Sequence, residues 1–210
     1  MEHPEKGLVF PDNFIPYAEE SSLIIDIGEW VINEACKEYK SCNGKLEDIS
    51  VNISSKQFIQ DDFIEKILRI TELNSVHPSG LKLELTESVA IDDLSTTVKK
   101  MNLLKSLGFK IAMDDFGTGY SSLSYLKNLP FDFIKIDRSF IKDMLENEDD
   151  ASLIKTILTI SKQFKFAVIA EGVETKEHIK ALKALGCEYY QGYVKSKPLP
   201  SDKFRELLDS

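Results

Sequence analysis

The chain has 210 residues, 42% hydrophobic and 29% charged, with 26 Lys and Arg against 35 Asp and Glu and a net charge of −9. That length and composition fit one globular domain with a substantial core and exclude disorder, collagen and coiled coil. The acidity excludes holding polymeric nucleic acid by counterion release, so any phosphate chemistry must run through metal ions or a local site.

No apolar run approaches the roughly 20 residues that cross a bilayer, so no membrane span is expected. Met1-Glu2-His3-Pro4-Glu5-Lys6 has no apolar core and does not read as a secretory signal. Cys36, Cys42 and Cys187 cannot all pair within one chain and form no C-x-x-C, which predicts reduced thiols and a cytoplasmic protein. His3, His77 and His178 are scattered, which argues against a His-based zinc site.

The first predicted element is a helix with core face Leu23, Ile27, Val31 and Ala35, broadened by Ile24 and Trp30. Lys40–Lys45 reads as a polar connection. Six short apolar runs then predict strands at Asp48–Ile53, Leu81–Leu85, Phe109–Met113, Phe133–Ile136, Phe166–Ala170 and Tyr189–Gln191. Between them lie stretches of helical period. Their apolar faces are Phe58, Phe63, Ile67 and Ile70; Leu94, Val98, Met101, Leu104 and Leu107; Leu153, Ile157, Ile160 and Phe164; and Ile179, Leu182 and Leu185. Gly108 and Gly186 read as helix stops. Glu146–Asp150 reads as a solvated loop before a helix, and Ser201-Asp202 as the lead-in to a last helix, Lys203–Leu208. Repeating strand–helix units imply right-handed crossovers and a parallel sheet. Six strands suit an open doubly wound sheet and eight a closed barrel; periodicity does not choose between them.

Chemistry concentrates at the ends of these runs. Asn52 lies near the end of the first, Glu84 in the second with Thr86 and Glu87 after it, and Asp114-Asp115 closes the third. Lys135 and Asp137 share a face of the fourth, Glu171 and Glu174 follow the fifth, and Gln191 ends the sixth. Any one of these has a plain structural reading: an Asp-Asp pair as a helix cap, a strand Lys as an edge residue, a strand Glu on a wet face. Six in register do not, because buried charge is costly unless paired or metal-bound. Oxygen donors without His or Cys point to Mg²⁺ or Mn²⁺, and adjacent aspartates suit two ions. Asp115-Phe116-Gly117 resembles the kinase D-F-G, but no glycine-rich phosphate loop or H-R-D accompanies it, so a kinase is rejected.

Ser50-Val51-Asn52-Ile53-Ser54, Glu84-Leu85-Thr86-Glu87-Ser88, Asp114-Asp115-Phe116-Gly117-Thr118-Gly119, Phe133-Ile134-Lys135-Ile136-Asp137, Ala170-Glu171-Gly172-Val173-Glu174 and Gln191-Gly192-Tyr193 together resemble the EAL domain of cyclic di-GMP phosphodiesterases. His3-Pro4 and Phe14-Ile15-Pro16 fit the family's opening, so the likeness covers essentially residues 1–210 as one domain. The resemblance implies a modified TIM-type (β/α) barrel in a cytoplasmic bacterial signalling protein. It implies Mg²⁺- or Mn²⁺-dependent hydrolysis of cyclic di-GMP to linear pGpG. By the same resemblance, Asn52, Glu84, Asp114 and Asp115 are metal ligands, with Asp114 bridging. Lys135 resembles the residue that orients and polarises the attacking water, and Glu171 the acid/base or water-positioning carboxylate. Gln191 lies near the second metal, Glu87 fixes the loop after Asp115, and Glu174 supports, with Asp137 on the Lys135 face. The loop Phe116–Ser122 couples the site to dimerisation.

The chain departs from the family at its start. The Glu-Ala-Leu strand that should precede His3-Pro4 is absent, with the strand before it, so the domain reads as N-terminally incomplete, with six strands of eight. The lost glutamate is a metal ligand in the family and the lost arginine a phosphate contact. Two exposed strand edges are then expected to pair with a partner, with a second copy, with Met1–Ile15, or with an upstream hairpin in a longer protein carrying a sensor or GGDEF domain. Two functions compete: a phosphodiesterase with a weakened first metal site, and an inactive EAL-like domain serving as cyclic di-GMP sensor or protein-interaction module. Six polar strand ends in register have no packing rationale, which sets aside a purely structural role.

Overall fold

The computed structural model describes residues 2–5, 7–86, 89, 93–117 and 127–209. Strands β1 (Glu2–His3) and β2 (Gly7–Leu8) pair antiparallel with one another. Helices α1 (Ile15–Glu20) and α2 (Leu23–Ser41) follow. Then come β3 (Ile49–Ile53), α3 (Ser55–Phe58), α4 (Phe63–Leu73), β4 (Leu81–Thr86), α5 (Leu94–Ser106), β5 (Lys110–Phe116) and β6 (Phe133–Ile136). The chain ends with α6 (Arg138–Asp143), α7 (Glu148–Phe164), β7 (Ala167–Ala170), α8 (Lys176–Leu185), β8 (Tyr189–Tyr190) and α9 (Ser201–Leu208). No described helix is long and apolar enough to cross a membrane.

Strands β3 to β8 form one parallel sheet in strict chain order, β3-β4-β5-β6-β7-β8. A doubly wound sheet reverses its strand order at a switch point. This one never does, and winding in one direction is the barrel's topology. Alternation along the strands shows how the layers sit. Val51, Ile53, Leu81, Leu83, Leu85, Ile111, Met113, Ile134, Ile136, Val168 and Ala170 are buried in the core they share with the helices. The opposite face carries Asn52, Lys82, Glu84, Lys110, Asp114 and Lys135. Parallel strands packed on both faces are usually apolar throughout; here one face is polar, and the candidate site lies on it.

The β1–β2 hairpin joins neither edge of the large sheet among the described residues. Among the described residues, β3 and β8 stand at the two edges of that sheet. The three cysteines are free and buried.

Several predicted faces shift. In α2 the buried positions are Ile24, Gly28, Ile32 and Cys36, one residue on from the predicted stripe, and Leu23 and Trp30 are 54% and 62% exposed. Gly28 causes the rotation. A Cβ there would stand 1.7 Å from the Gln57 side-chain nitrogen, so the bare backbone of α2 lies against that buried amide. In α7 the buried residues are Ile154, Ile157, Leu158 and Ser161, while Leu153 and Phe164 are exposed. The helix predicted through Phe58 and Phe63 is two helices. Ser54 and Gln57 form a reciprocal capping box that starts α3. The Lys100 ammonium, reaching from α5, then takes the carbonyls of Phe58 and Gln60 at 2.7 Å each. Glu148, Asp149 and Asp150 belong to the first turn of α7 rather than a loop, where the helix dipole favours negative charge. Ser201 and Asp202 likewise lie inside α9.

Gly28→Ala gives the first prediction. Alanine gains about 1 kcal/mol of helix propensity. Overpacking and loss of the capping box cost more, about 1–3 kcal/mol plus about 1 kcal/mol for the cap. Urea denaturation should show net destabilisation; a more stable variant would mean that Gln57 swings clear at no cost.

Candidate active site at the carboxyl ends of the strands

Parallel register sets the frame. Asn52 pairs with Glu84 and Thr86 with Asp114, so all four share the polar face near the C-terminal ends of β3, β4 and β5. Between β5 and β6 the register slips. Met113 pairs with Ile134 and Phe116 with Ile136, so Asp114 and Asp115 together oppose the single residue Lys135. This is a β-bulge, which re-aims side chains that strict alternation would send to opposite faces. Asp115 takes a φ of +53°, a left-handed conformation unusual for a non-glycine residue.

Lys135 is the centre of the arrangement. Its side chain is 5% exposed and its Nζ lies 2.6 Å from Glu84 Oε2, 2.8 Å from Asp114 Oδ1 and 2.8 Å from Glu171 Oε1. An ammonium has three donors, and here each meets a carboxylate. Carboxylate oxygens of Asp114, Asp115 and Glu171 all lie within 4.8 Å of one another. Asp114 Oδ1 also accepts the Asp115 backbone N–H at 3.0 Å. Glu171 is carried just past β7, where its N–H donates to the Ile136 carbonyl at 3.1 Å.

One ammonium faces four carboxylates, and the imbalance appears in the titration of Asp115, Glu171 and Lys135. Burial pushes the Glu171 carboxyl upward; the Lys135 ammonium opposes this, while Asp114 and Glu84 add like charge. Asp115 is exposed as a residue, yet partial burial of its carboxyl, with Asp114 and Asp137 nearby, also raises it. Burial lowers Lys135, but the three carboxylates, Glu84 foremost, outweigh it and hold the ammonium well above its ordinary range. Oxygen donors converging with surplus negative charge fit hard divalent cations such as Mg²⁺ or Mn²⁺.

The sign of the pH effect follows. Asp115 and Glu171 bind protons more tightly folded than unfolded. Their contribution is fully present below the ordinary carboxylate range and is lost as pH rises through their raised values. Metal-free chain should therefore melt at progressively lower temperature as pH climbs just above that range, and Mn²⁺ should remove the slope. An equal slope with and without Mn²⁺ would separate these carboxyls from the metal.

Other predicted residues take different places. Asn52 is exposed and, with Glu84, Thr86, Asp114 and Asp115, lines a cleft of about 820 Å³ whose far wall includes Ile24, Ile27 and Val31. Glu174 and Gln191 line a separate pocket of about 200 Å³ beside Glu171. Asp137 caps α6, accepting from the Ser139 N–H at 2.9 Å. Against burial, which raises it, the Ser139 hydroxyl and the Ser139 and Arg138 amides hold its carboxyl below the usual range. Glu87 and residues 118–122 of the predicted coupling loop lie outside the described residues.

Three features escaped the sequence reading. Ala112, fully buried beside Glu84 in the β4–β5 register, keeps its position on that face small. At the other end of the strands Asp48 accepts from Lys82 at 2.9 Å and from Lys110 at 2.7 Å, and Lys82 lies 4.2 Å over the Phe133 ring. That network accounts for the strand lysines without a role in the site; the alternation of Lys82 and Lys110 with apolar neighbours was its available signal. The third is Arg138, in the pocket with Glu174.

Comparisons with known proteins meet this geometry. The EAL domain family model matches residues 1–198. The bifunctional diguanylate cyclase/cyclic di-GMP phosphodiesterase MucR of Pseudomonas aeruginosa is 40% identical over 205 residues, 96% of this chain and 30% of the relative. The signaling protein YkoW of Bacillus subtilis is 41% identical over 207 residues, 98% of this chain and 26% of the relative. The chain thus spans less than a third of either. Among solved structures, the MucR phosphodiesterase in complex with c-di-GMP superposes with a TM-score of 0.90 at 39% identity, covering 97% of this chain and 83% of that one. The EAL enzyme Bd1971, in its cAMP- and cyclic-di-GMP-bound form, gives a TM-score of 0.94 at 36% identity, covering 99% and 58%.

Proposed function

Since the chain belongs to the EAL domain family, we propose that it binds cyclic di-GMP over the carboxyl ends of its strands and hydrolyses one phosphodiester bond to give linear pGpG. The observation that carries this reading is the contact of Lys135 with Glu84, Asp114 and Glu171 at 2.6–2.8 Å, with the Asp115 carboxylate joining those of Asp114 and Glu171 within 4.8 Å of one another. The c-di-GMP complex of the MucR phosphodiesterase, 39% identical, supports the choice of ligand.

Asn52, Glu84, Asp114 and Asp115 would hold the divalent ions. Bound there, the ions would neutralise charge on the phosphate and lower the pKa of the attacking water. The chain's own residues do the rest. Lys135 gives up one of its three carboxylate contacts when substrate binds and turns that N–H to the attacking water, aligning it with phosphorus. Glu171, raised above the ordinary carboxylate range, takes the water's proton as the P–O bond forms. The proton passes to the departing ribose 3′-oxygen as the P–O3′ bond breaks, leaving a 5′-phosphate. Asp137 and Glu174 act through neighbours: one starts α6 directly after β6, the other lines the wall beyond Glu171.

A second reading, a domain that binds cyclic di-GMP or a protein without turnover, is favoured by one observation. The cleft beside Glu84 and Asp114 runs along the β3 edge, which pairs with no described strand. The resemblance places a further metal-ligating glutamate in the Glu-Ala-Leu strand ahead of His3-Pro4. Homodimerisation through the 116–122 loop or the open edges belongs to the same proposal, as do a cytoplasmic setting and an upstream sensor or GGDEF domain.

The test is incubation of the chain with cyclic di-GMP and Mn²⁺, followed by chromatography for linear pGpG, against a variant lacking the Asp114 carboxylate. Product above that background supports hydrolysis. Its absence, cured by fusing a Glu-Ala-Leu hairpin ahead of His3, assigns the activity to the ligand that the hairpin supplies. Absence in both forms, with binding retained, leaves the sensor reading.

A further inference from the structure

We infer that Phe140 is a positioning residue: its ring braces the turn that ends β5 and so holds the Asp115 carboxylate in place beside Asp114 and Glu171. The inference rests on the divalent-ion reading above and names what fixes one of its ligands.

The turn needs a brace. Asp115 and Gly117 take φ values of +53° and +103°, on either side of Phe116. Such backbone is sparsely populated and persists only where the surrounding structure over-determines it. Phe116 supplies one hold, since it pairs with Ile136 and is 8% exposed. Phe140 supplies the other. A Cβ on Gly117 would stand 2.8 Å from Phe140 Cε2 and 3.2 Å from its Cζ, so the ring lies directly against the glycine backbone. No side chain fits between them, and glycine takes that φ at no steric cost.

Phe140 is itself held firmly. Its N–H donates to the Asp137 carbonyl at 3.2 Å, in the first turn of the helix that Asp137 caps, and the next residue, Ile141, is fully buried. One short segment, residues 135–140, thus presents both the Lys135 ammonium and the brace. Lys135 Nζ fixes Asp114 and Glu171 at 2.8 Å each. The Asp115 side chain projects from the turn, so the turn's conformation decides where its carboxylate stands. A working constellation has to be held to about 0.5 Å. Removing a group that orients a metal ligand costs about 10- to 100-fold in affinity.

The experiment is calorimetric titration of Mn²⁺ alone into the metal-free chain, each variant being titrated below its melting temperature. Phe140→Ala should weaken Mn²⁺ binding by about 10- to 100-fold. Gly117→Ala, which sets a methyl group where the ring stands, should imitate it. Phe140→Leu, which restores apolar bulk, should recover part of the loss. In an Asp115→Asn background Phe140→Ala should cost less than about twofold, because a residue acting through Asp115 adds nothing once that carboxylate is gone. A ring that serves only the fold would lower the melting temperature and cost the same in both backgrounds. That result overturns the proposal, as does unchanged affinity in Phe140→Ala, and either leaves the ion reading standing. Amide hydrogen exchange in EDTA gives a readout that needs no ion. The Asp115 N–H, bonded to Asp114 at 3.0 Å, should lose protection in Phe140→Ala. The Ile111 N–H, bonded to Asp132 at 2.9 Å in the same strand, should keep its own. If wild type binds no Mn²⁺, the ion reading fails, and the exchange result alone decides for or against the brace.

Discussion

Lys135→Met should destabilise the metal-free chain by about 3–5 kcal/mol, the range for removing one partner of a buried ion pair. The side chains on its two flanks explain the size. Glu84 is 6% exposed and Glu171 17%, so neither carboxylate can recover its hydration when the ammonium leaves. Methionine fills much of the lysine's volume, which keeps a cavity from dominating the result. The penalty should also be conditional. A divalent cation is an alternative counter-charge, and ligand at about 100 times its dissociation constant returns about 2.7 kcal/mol. Melting curves in EDTA and in Mn²⁺ should therefore diverge far more for the variant than for wild type, while turnover stays lost in both. A variant as stable as wild type in EDTA would mean that the carboxylates are protonated in the fold and that Lys135 does not hold them together.

Much of this site is legible in the amino-acid sequence because strand ends announce themselves. A run such as Phe133-Ile134-Lys135-Ile136-Asp137 is a buried β-branched strand interrupted by a lysine, and that interruption has to be explained by a partner. The partners could be proposed from other strands, since parallel strands feed one end of a sheet. Which carboxylates meet Lys135 could not be. The bulge that sets Asp114 and Asp115 against one residue is a property of two strands in register, and no single run encodes it. Helix faces failed for a related reason. Gly28 has no apolar side chain to count, yet it lies directly against the Gln57 amide of the Ser54–Gln57 cap, and that contact turns Leu23 and Trp30 outward. Charge alone makes Glu148–Asp150 resemble a solvated loop; in the first turn of a helix the same three carboxylates favour the fold.

Asp114→Ala should produce the opposite signature from Lys135→Met. Lys135 keeps Glu84 at 2.6 Å and Glu171 at 2.8 Å, so no buried charge is orphaned. Removing one of four crowded carboxylates also relieves Asp115 and Glu171, both of which Asp114 pushes upward. In EDTA the variant should melt at or above the wild-type temperature. Its response to Mn²⁺ should largely vanish, and any turnover should fall by at least about 10²-fold, as when one element of transition-state stabilisation is lost. The two variants thus separate cation from ligand: one is unstable without metal and rescued by it, the other is stable without metal and indifferent to it. An Asp114→Ala chain that still gains full stability from Mn²⁺ would remove Asp114 from the ion's ligands and shift the bridging position to Asp115 and Glu171, which lie within 4.8 Å of it. A chain that loses stability in EDTA instead would show that Asp114 serves the fold through Lys135 and the Asp115 amide.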